Sequence, residues 1–162
     1  MAAPYRVSMV CTGNICRSPM GEVVLRAMLE EEGLTDRVVV DSAGTAGWHI
    51  GNGADPRTVS ALKAGGYDGS AHVAQQFSPE WIAGRDLVLV ADEGHRRAVV
   101  AMADGADTSH VRLLREFDPA AVEAGTLEVD DPYYGNDDGF ARCLAEVEAA
   151  CRGVVTHLRA QV

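Results

Sequence analysis

The sequence is poor in positive charge. It holds 14 Lys and Arg residues against 24 Asp and Glu, which gives a formal net charge of −10 and an isoelectric point near 4.8. Nucleic acids and anionic membranes attract basic proteins, so this balance argues against either as a main partner. An anion site in this chain must therefore rely on individual arginines and on backbone N–H groups rather than on a basic surface.

Long apolar runs and abundant cysteine are also missing. No run approaches the roughly 20 residues that span a bilayer, and the N-terminus lacks the apolar core of a signal peptide, so we expect a cytoplasmic protein. Four cysteines are too few for a secreted disulfide framework. The histidine, cysteine and carboxylate residues show no metal-ligand spacing, so we expect neither a metal nor a cofactor.

The sequence predicts one α/β domain over residues 1–162. Apolar runs predict strands at residues 7–10, 38–41, 87–91 and 111–114. Helical patterns are predicted between them at residues 19–32, 56–65, 93–102 and 139–158. Long loops are expected at residues 42–54 and 116–139. This alternation predicts a small doubly wound, four-stranded parallel sheet with helices on both faces and ligands at the carboxyl ends of its strands.

The most informative segment is residues 11–19, Cys-Thr-Gly-Asn-Ile-Cys-Arg-Ser-Pro, between the first strand and the first helix. Gly13 and Asn14 tolerate the left-handed backbone that a compact loop needs. Such a loop directs its N–H groups and the positive end of the helix at one point. The pattern indicates a site for a phosphate dianion, with the Cys11 thiol at its floor and Arg17 closing the ring. A cysteine that merely packs at a strand end is the alternative.

Two later segments carry further polar and aromatic side chains. In one, Asp131 precedes a proline, which favours an extended backbone and lets the carboxyl group project, and Tyr133 and Tyr134 follow it. A solvated acidic turn is the alternative for this segment. The other is the glycine-rich loop at residues 42–54, where Trp48 is expected from its surroundings alone to anchor the loop on the core.

Together these segments resemble those of the low-molecular-weight protein tyrosine phosphatases, particularly the actinobacterial members. Residues 11–19 resemble the family's phosphate loop, residues 131–134 (Asp-Pro-Tyr-Tyr) its acid loop, and residues 41–48 the segment between them. The resemblance extends over nearly the whole chain. It implies metal-free hydrolysis of phosphotyrosine through a phosphocysteine intermediate, with tyrosine-phosphorylated proteins as partners and phosphate and oxyanion analogues as ligands. We also expect a monomer.

The resemblance assigns the chemistry to three residues. Cys11 is expected to attack phosphorus as a thiolate, and Arg17 to bind two phosphoryl oxygens. Asp131 is expected to protonate the leaving phenolate and then to accept a proton from water. The phosphate-binding loop itself comprises Thr12, Gly13, Asn14, Ile15, Cys16 and Arg17.

Three further residues match supporting positions of the family. Ser18 is expected to donate a hydrogen bond to the Cys11 sulfur, Asn14 to hold the loop through its side chain, and His72 to correspond to the family's supporting histidine. Gln75 stands where the family usually has arginine.

The substrate cleft is expected to be lined by Ile15, Trp48, Tyr133 and Tyr134. The apolar side chain of Ile15 favours an aryl group, whereas the arginine-phosphate branch of the family carries threonine at that position and lacks the tyrosine pair. A phosphoarginine phosphatase is therefore the alternative activity. An arsenate reductase would need a relay of cysteines, and none lies between Cys16 and Cys143. A module that binds phosphoproteins without turnover is a further alternative.

Cys16 lies five residues after Cys11 in the same loop. We hypothesise that oxidation joins the two reversibly and protects Cys11 from over-oxidation. The alternative is that Cys16 is a small packing residue. Cys143 and Cys151 are expected to pack, since their spacing fits no zinc motif.

Overall fold

Four parallel strands form the centre of the fold in the computed structural model, which describes residues 3–162. The strands are β1 (Tyr5–Cys11), β2 (Val38–Gly44), β3 (Leu87–Val90) and β4 (Val111–Leu113). Their order in the sheet is β2-β1-β3-β4. The direction of winding reverses between β1 and β3, so the carboxyl ends of these two strands form the crevice where this class of sheet binds ligands.

Six α-helices surround the sheet within residues 3–162. They are α1 (Arg17–Glu31), α2 (Pro56–Ala64), α3 (Glu80–Gly84), α4 (Glu93–Met102), α5 (Pro119–Ala124) and α6 (Asp137–Gln161), with a 3₁₀ turn at Leu114–Phe117. Helices α1 and α6 pack against each other, and α4 packs on β3 and β4. None of these helices is long and apolar enough to cross a membrane.

The two faces of the sheet bury separate apolar clusters. Along β1, Val7 and Met9 point into the larger cluster under α1 and α6, whereas Val10 points into the smaller cluster beside α4. This alternation follows from the period of two along a strand, and both faces are apolar because helices cover both. The predicted fold class, a four-stranded parallel sheet with helices on both faces, is confirmed.

The predicted elements are all present, but some boundaries and two helices differ. The strand β2 continues three residues further than expected, into the segment predicted to be a loop. Helix α1 begins at Arg17, two residues before the predicted start. Helix α3 was not predicted, and the expected loop at residues 116–139 contains α5, whose first turn is capped by the Asp118 side chain. The reason is length, since neither helix is long enough to show an apolar period.

Candidate active site

The loop between β1 and α1 closes on itself at the carboxyl end of β1. Asn14 adopts a left-handed conformation with φ of 58°, which reverses the chain between the strand and the helix. The loop carbonyl groups face outward and accept hydrogen bonds of 2.9 Å from Thr45 to Cys11, from Ala46 to Thr12 and from Asp55 to Ile15. The N–H groups of residues 12–16 have no such backbone partner within residues 3–162, and free N–H groups before the start of a helix are typical of an anion-binding nest.

The Asn14 side chain holds this loop from within. Asn14 is fully buried, and its Oδ1 accepts a hydrogen bond of 2.9 Å from the backbone N–H of Gln75. Its amide Nδ2 donates to Ser18 Oγ at 2.8 Å and to Ser42 Oγ at 2.9 Å. Since Oδ1 must accept, both hydrogens of the amide are committed to the two serines. Asn14 therefore lies where the prediction requires, and the backbone of Gln75 contributes although its side chain is not an arginine.

The same network fixes the direction of the hydrogen bond at the cysteine. Cys11 is buried, and its Sγ lies 2.9 Å from Ser18 Oγ. Because Ser18 Oγ already accepts from Asn14, its own hydrogen is free to point at the sulfur. A donor in this position stabilises a thiolate more than a thiol. The structure thus brings Cys11, Ser18 and Asn14 into one hydrogen-bonded chain.

His72 supports the loop from outside. Its Nε2 lies 2.6 Å from the carbonyl oxygen of Asn14, and a carbonyl can only accept, so Nε2 carries the hydrogen. The other ring nitrogen lies 4.0 Å from Glu22, whose carboxylate in turn accepts from Ser42 at 2.5 Å. His72 and Asn14 therefore belong to the same hydrogen-bonding network behind the loop.

Arg17 is held at the edge of the loop with its guanidinium almost fully buried. One terminal nitrogen, Nη1, donates to Asp92 Oδ2 and to the carbonyl oxygen of Val129, both at 2.9 Å. Burial opposes the charge, but the negative charges of Cys11, Asp131 and Asp92 outweigh it and raise the pKa of Arg17. Two fixed acceptors on one side orient the planar group, which leaves its other side directed at the cleft.

Asp131 faces Arg17 from the opposite wall. Its Oδ2 lies 3.7 Å from Arg17 Nη2, and its Oδ1 accepts a hydrogen bond of 3.1 Å from the backbone N–H of Tyr133. The turn after Pro132 thus fixes one carboxylate oxygen and leaves the other over the loop. The side chain is 40% exposed, so it can exchange a proton with water.

Cys11, Arg17 and Asp131 line one cleft of about 290 Å³, together with Ile15. Its rim is aromatic. Trp48 is 76% exposed and Tyr134 is 89% exposed, while Tyr133 packs edge to face on Tyr134 with ring centres 4.9 Å apart. The surroundings of Trp48 in the sequence predicted that it anchors its loop on the core, and this prediction is wrong. Trp48 lies at the cleft instead, where the family resemblance places it.

Cys16 is a buried residue of the loop and lines the same cleft. Burial raises the pKa of its thiol to about 12, so it remains protonated near neutral pH. Cys11 and Cys16 are both free thiols, and so are Cys143 and Cys151, which lie in the core under α1 and α6. The packing prediction for the last two agrees with this position.

Three residues of this region were not predicted as functional. His49 lines the cleft and packs on the loop so closely that a Cβ at Gly13 would lie 2.8 Å from its ring. Asp92 and His95 follow β3, and they contact Arg17 and the loop. The signal that could have found Asp92 is its place directly after a buried strand, at the edge of the sheet where ligands bind. Among residues 3–162 no cluster of three metal-ligating side chains is found.

Comparison with known proteins places these features in a family. A model of the family "Low molecular weight phosphotyrosine protein phosphatase" matches residues 6–162. A low molecular weight protein-tyrosine-phosphatase of Streptomyces coelicolor is 54% identical over 159 residues, which cover 98% of this chain and 96% of the relative. The crystal structure of a protein tyrosine phosphatase from Entamoeba histolytica is 28% identical with a TM-score of 0.91, and covers 97% of this chain and 98% of that one.

The fold is also similar to that of an enzyme described by a different substrate. A Drosophila arginine phosphatase matches with a TM-score of 0.84 at 26% identity, over 94% of this chain and 96% of that one. Backbone similarity therefore does not separate the two substrates, and the side chains that line the cleft must do so.

Proposed function

This chain belongs to the low molecular weight phosphotyrosine protein phosphatase family and is a protein tyrosine phosphatase, and we propose that Cys11, Arg17 and Asp131 carry out its reaction. The family hydrolyses phosphotyrosine in proteins through a phosphocysteine intermediate. The observation that supports this assignment is the arrangement of the three side chains around one cleft, with the Cys11 sulfur hydrogen-bonded to Ser18 at the floor and Asp131 3.7 Å from Arg17 at the wall.

In the first step, the Cys11 thiolate attacks phosphorus and the bond from phosphorus to the phenolic oxygen breaks. Negative charge grows on the equatorial phosphoryl oxygens, where the N–H groups of residues 12–16 and the free side of Arg17 stabilise it. Asp131 transfers its proton to the leaving oxygen, which departs as a neutral phenol.

In the second step, water attacks the phosphocysteine and gives a proton to Asp131. The sulfur leaves as a thiolate, and the hydroxyl of Ser18 stabilises it through the hydrogen bond of 2.9 Å. Each group is then in its original protonation state. No residue of the proposed site needs a metal for these steps.

For the substrate group, the side chains of the cleft favour phosphotyrosine over phosphoarginine. Ile15 offers an apolar contact beside the phosphate loop, and Trp48, Tyr133 and Tyr134 offer faces and edges on which an aryl ring can pack. Arg57 holds this wall in place, since its guanidinium lies 5.4 Å from the Tyr133 ring while it pairs with Asp55 at 2.9 Å.

The experiment that tests the assignment is steady-state hydrolysis of phosphotyrosine, phosphoserine and phosphoarginine in the presence of EDTA, for the native protein and for Cys11→Ser. We expect turnover selective for phosphotyrosine that disappears in the variant. Preference for phosphoarginine would overturn the substrate assignment, and full turnover by Cys11→Ser would overturn the nucleophile. Binding of phosphate analogues without any turnover would instead support a phosphoprotein-binding module.

The role of Asp131 is tested separately by comparing substrates that differ in their leaving group. Asp131→Asn should reduce hydrolysis of phenyl phosphate much more than hydrolysis of p-nitrophenyl phosphate, because only the poorer leaving group needs a proton in the transition state. Equal losses on both substrates would contradict the assignment of Asp131 as the acid.

The substrates are phosphoproteins, and we further propose that the enzyme acts as a monomer and binds free phosphate and oxyanion analogues in the cleft. Sedimentation at concentrations used for assay tests the first statement, and competitive inhibition by vanadate tests the second. The cytoplasmic location expected from the sequence stays a prediction.

A further inference from the structure

We propose that His95 is a positioning residue, which orients the Thr12 hydroxyl so that its hydrogen points at the phosphoryl group of the substrate. This inference rests on the proposed function, because it assumes that the phosphoryl group lies in the cleft on residues 12–17. It adds a side-chain donor to the backbone nest and to Arg17.

The first step of the argument is the packing of His95. It lies in the first turn of α4 and is only 4% exposed. Its Nε2 is 2.7 Å from Thr12 Oγ1 and 3.4 Å from Arg17 Nη2. The imidazole ring therefore contacts two residues of the phosphate loop from the side of β3, although it is more than 75 residues away in sequence.

The second step is the direction of the hydrogen bonds. The backbone N–H of Asp92 donates to His95 Nδ1 at 3.2 Å, and the backbone N–H of His95 donates to Asp92 Oδ1 at 3.0 Å, so the two residues form a capping box at the start of α4. Each ring nitrogen also faces a second group, with Asp92 Oδ1 3.1 Å from Nδ1 and Arg17 Nη2 3.4 Å from Nε2. The Asp92 N–H and the Arg17 guanidinium can only donate, and the Asp92 N–H is the nearer of the two, so we assign the lone pair to Nδ1 and the hydrogen of the neutral ring to Nε2. His95 is neutral near pH 7, because burial and the charge of Arg17 lower its pKa to about 4.

The third step concerns Thr12. Because Nε2 of His95 donates to Thr12 Oγ1, the hydroxyl uses a lone pair on that side and its own hydrogen is free to point elsewhere. Thr12 lines the cleft together with Cys11 and Arg17. A phosphoryl oxygen bound there is the acceptor that this hydrogen meets. The capping box fixes the ring, and the ring fixes the hydroxyl.

The experiment compares Thr12→Val, His95→Leu and the double variant by kcat and KM for p-nitrophenyl phosphate and by the inhibition constant of inorganic phosphate. We expect each single variant to weaken phosphate binding about tenfold, the usual size for one lost hydrogen bond to a charged group. The double variant should be no worse than Thr12→Val alone, because both changes remove the same interaction. Multiplied effects would overturn the proposal.

Two controls separate positioning from stability. His95→Gln retains an amide that can donate to Thr12, so it should restore phosphate affinity, whereas His95→Leu should not. Val99 lies in the same helix and belongs to the smaller apolar cluster. The control variant Val99→Ala should lower the melting temperature and leave kcat and the inhibition constant of phosphate unchanged. If His95→Gln and His95→Leu bind phosphate equally, His95 does not act through a hydrogen bond.

A measurement on the native protein keeps the test independent of folding of the variants. Nitrogen-15 NMR of the histidine rings should show His95 with its hydrogen on Nε2, and saturating phosphate should shift that signal while the signals of His157 stay in place. The opposite tautomer, or no shift with phosphate, would overturn the proposal. Loss of hydrolysis in Cys11→Ser tests the proposed function separately, so failure of one assignment is distinguishable from failure of the other.

Discussion

Asn14 is the residue whose replacement should reveal most about how the phosphate loop is held. It combines two properties that are separable by mutation, a left-handed backbone with φ of 58° and a buried amide with three hydrogen bonds. Alanine removes the hydrogen bonds and disfavours the backbone conformation. Glycine removes the hydrogen bonds but adopts the conformation freely.

The expected loss in the free energy of unfolding follows from these contacts. Three buried hydrogen bonds at about 1 kcal/mol each give a loss of about 3 kcal/mol in both variants. The left-handed conformation costs alanine about 1–2 kcal/mol, and the greater freedom of the unfolded glycine chain offsets part of the difference. We therefore expect Asn14→Ala to be less stable than Asn14→Gly by about 1 kcal/mol. Both should lose about 100-fold in kcat/KM, because the donors of the loop shift relative to the phosphoryl group.

The assay is urea unfolding of both variants, with kcat/KM for p-nitrophenyl phosphate measured on the same preparations. Asp104 provides a matched control, since it is an exposed non-glycine residue with φ of 47° in the turn after α4. Asp104→Ala and Asp104→Gly should differ by a similar free energy of unfolding and leave activity unchanged. If Asn14→Gly is as stable and as active as the native protein, the hydrogen bonds of Asn14 do not hold the loop.

Three further predictions follow from the same site. Arg17→Lys should lower kcat/KM by about 100-fold or more, because an ammonium group that bonds both Asp92 and Val129 has one donor left and cannot present the planar pair of donors of a guanidinium. Activity within threefold of the native enzyme would refute this. After peroxide treatment, Cys16→Ser should recover less activity on thiol addition than the native enzyme, and equal recovery would show that Cys16 does not protect Cys11. The pKa of His95 is about 4 in the folded protein and about 6.5 in the unfolded chain, so the unfolded chain binds more protons between these pH values. As pH falls from 7 to 4, protonation of His95 should therefore lower the free energy of unfolding by up to about 3 kcal/mol. In urea unfolding at several pH values, the free energy of unfolding should fall less steeply with decreasing pH for His95→Gln than for the native protein. Identical pH dependence would contradict the lowered pKa of His95.

The fold was predictable because the buried strands are continuous apolar runs. Residues 87–90 are apolar and buried on both faces of the sheet, and residues 38–40 are also apolar although Val39 is exposed in this edge strand. The alternation of these strands with helices leaves few topologies. The short helix α5 was missed although it has the same Asp-Pro start as α2, which was predicted. Six residues are too few to show a helical period, so its caps were the only signal.

The site was predictable where it is local in sequence. Residues 11–18 predict a loop with a cysteine and an arginine within one strand-to-helix turn, and both side chains line one cleft in the structure. Asp92 and His95 were not predicted, because their contact with Arg17 depends on β3 lying beside β1. Nothing near those residues encodes the order of the strands. Family membership and phosphatase activity are confirmed, while the role of each residue stays a prediction.

The charges around Arg17 bear on the roles proposed for Arg17 and Asp131 in a protein that is acidic as a whole. Arg17 is paired with Asp92 at 2.9 Å and lies only 3.7 Å from Asp131, so its charge is largely balanced within the protein. A phosphoryl group bound to the free side of Arg17 lies between the guanidinium and Asp131. Such a phosphoryl group would compete with Asp131 for Arg17 and would bring negative charge towards that carboxylate. Asp92 is held by Arg17 and by the His95 backbone on the far side, and it stays ionised. The two carboxylates that share Arg17 therefore differ in position, since Asp92 is held behind the guanidinium and only Asp131 faces the cleft.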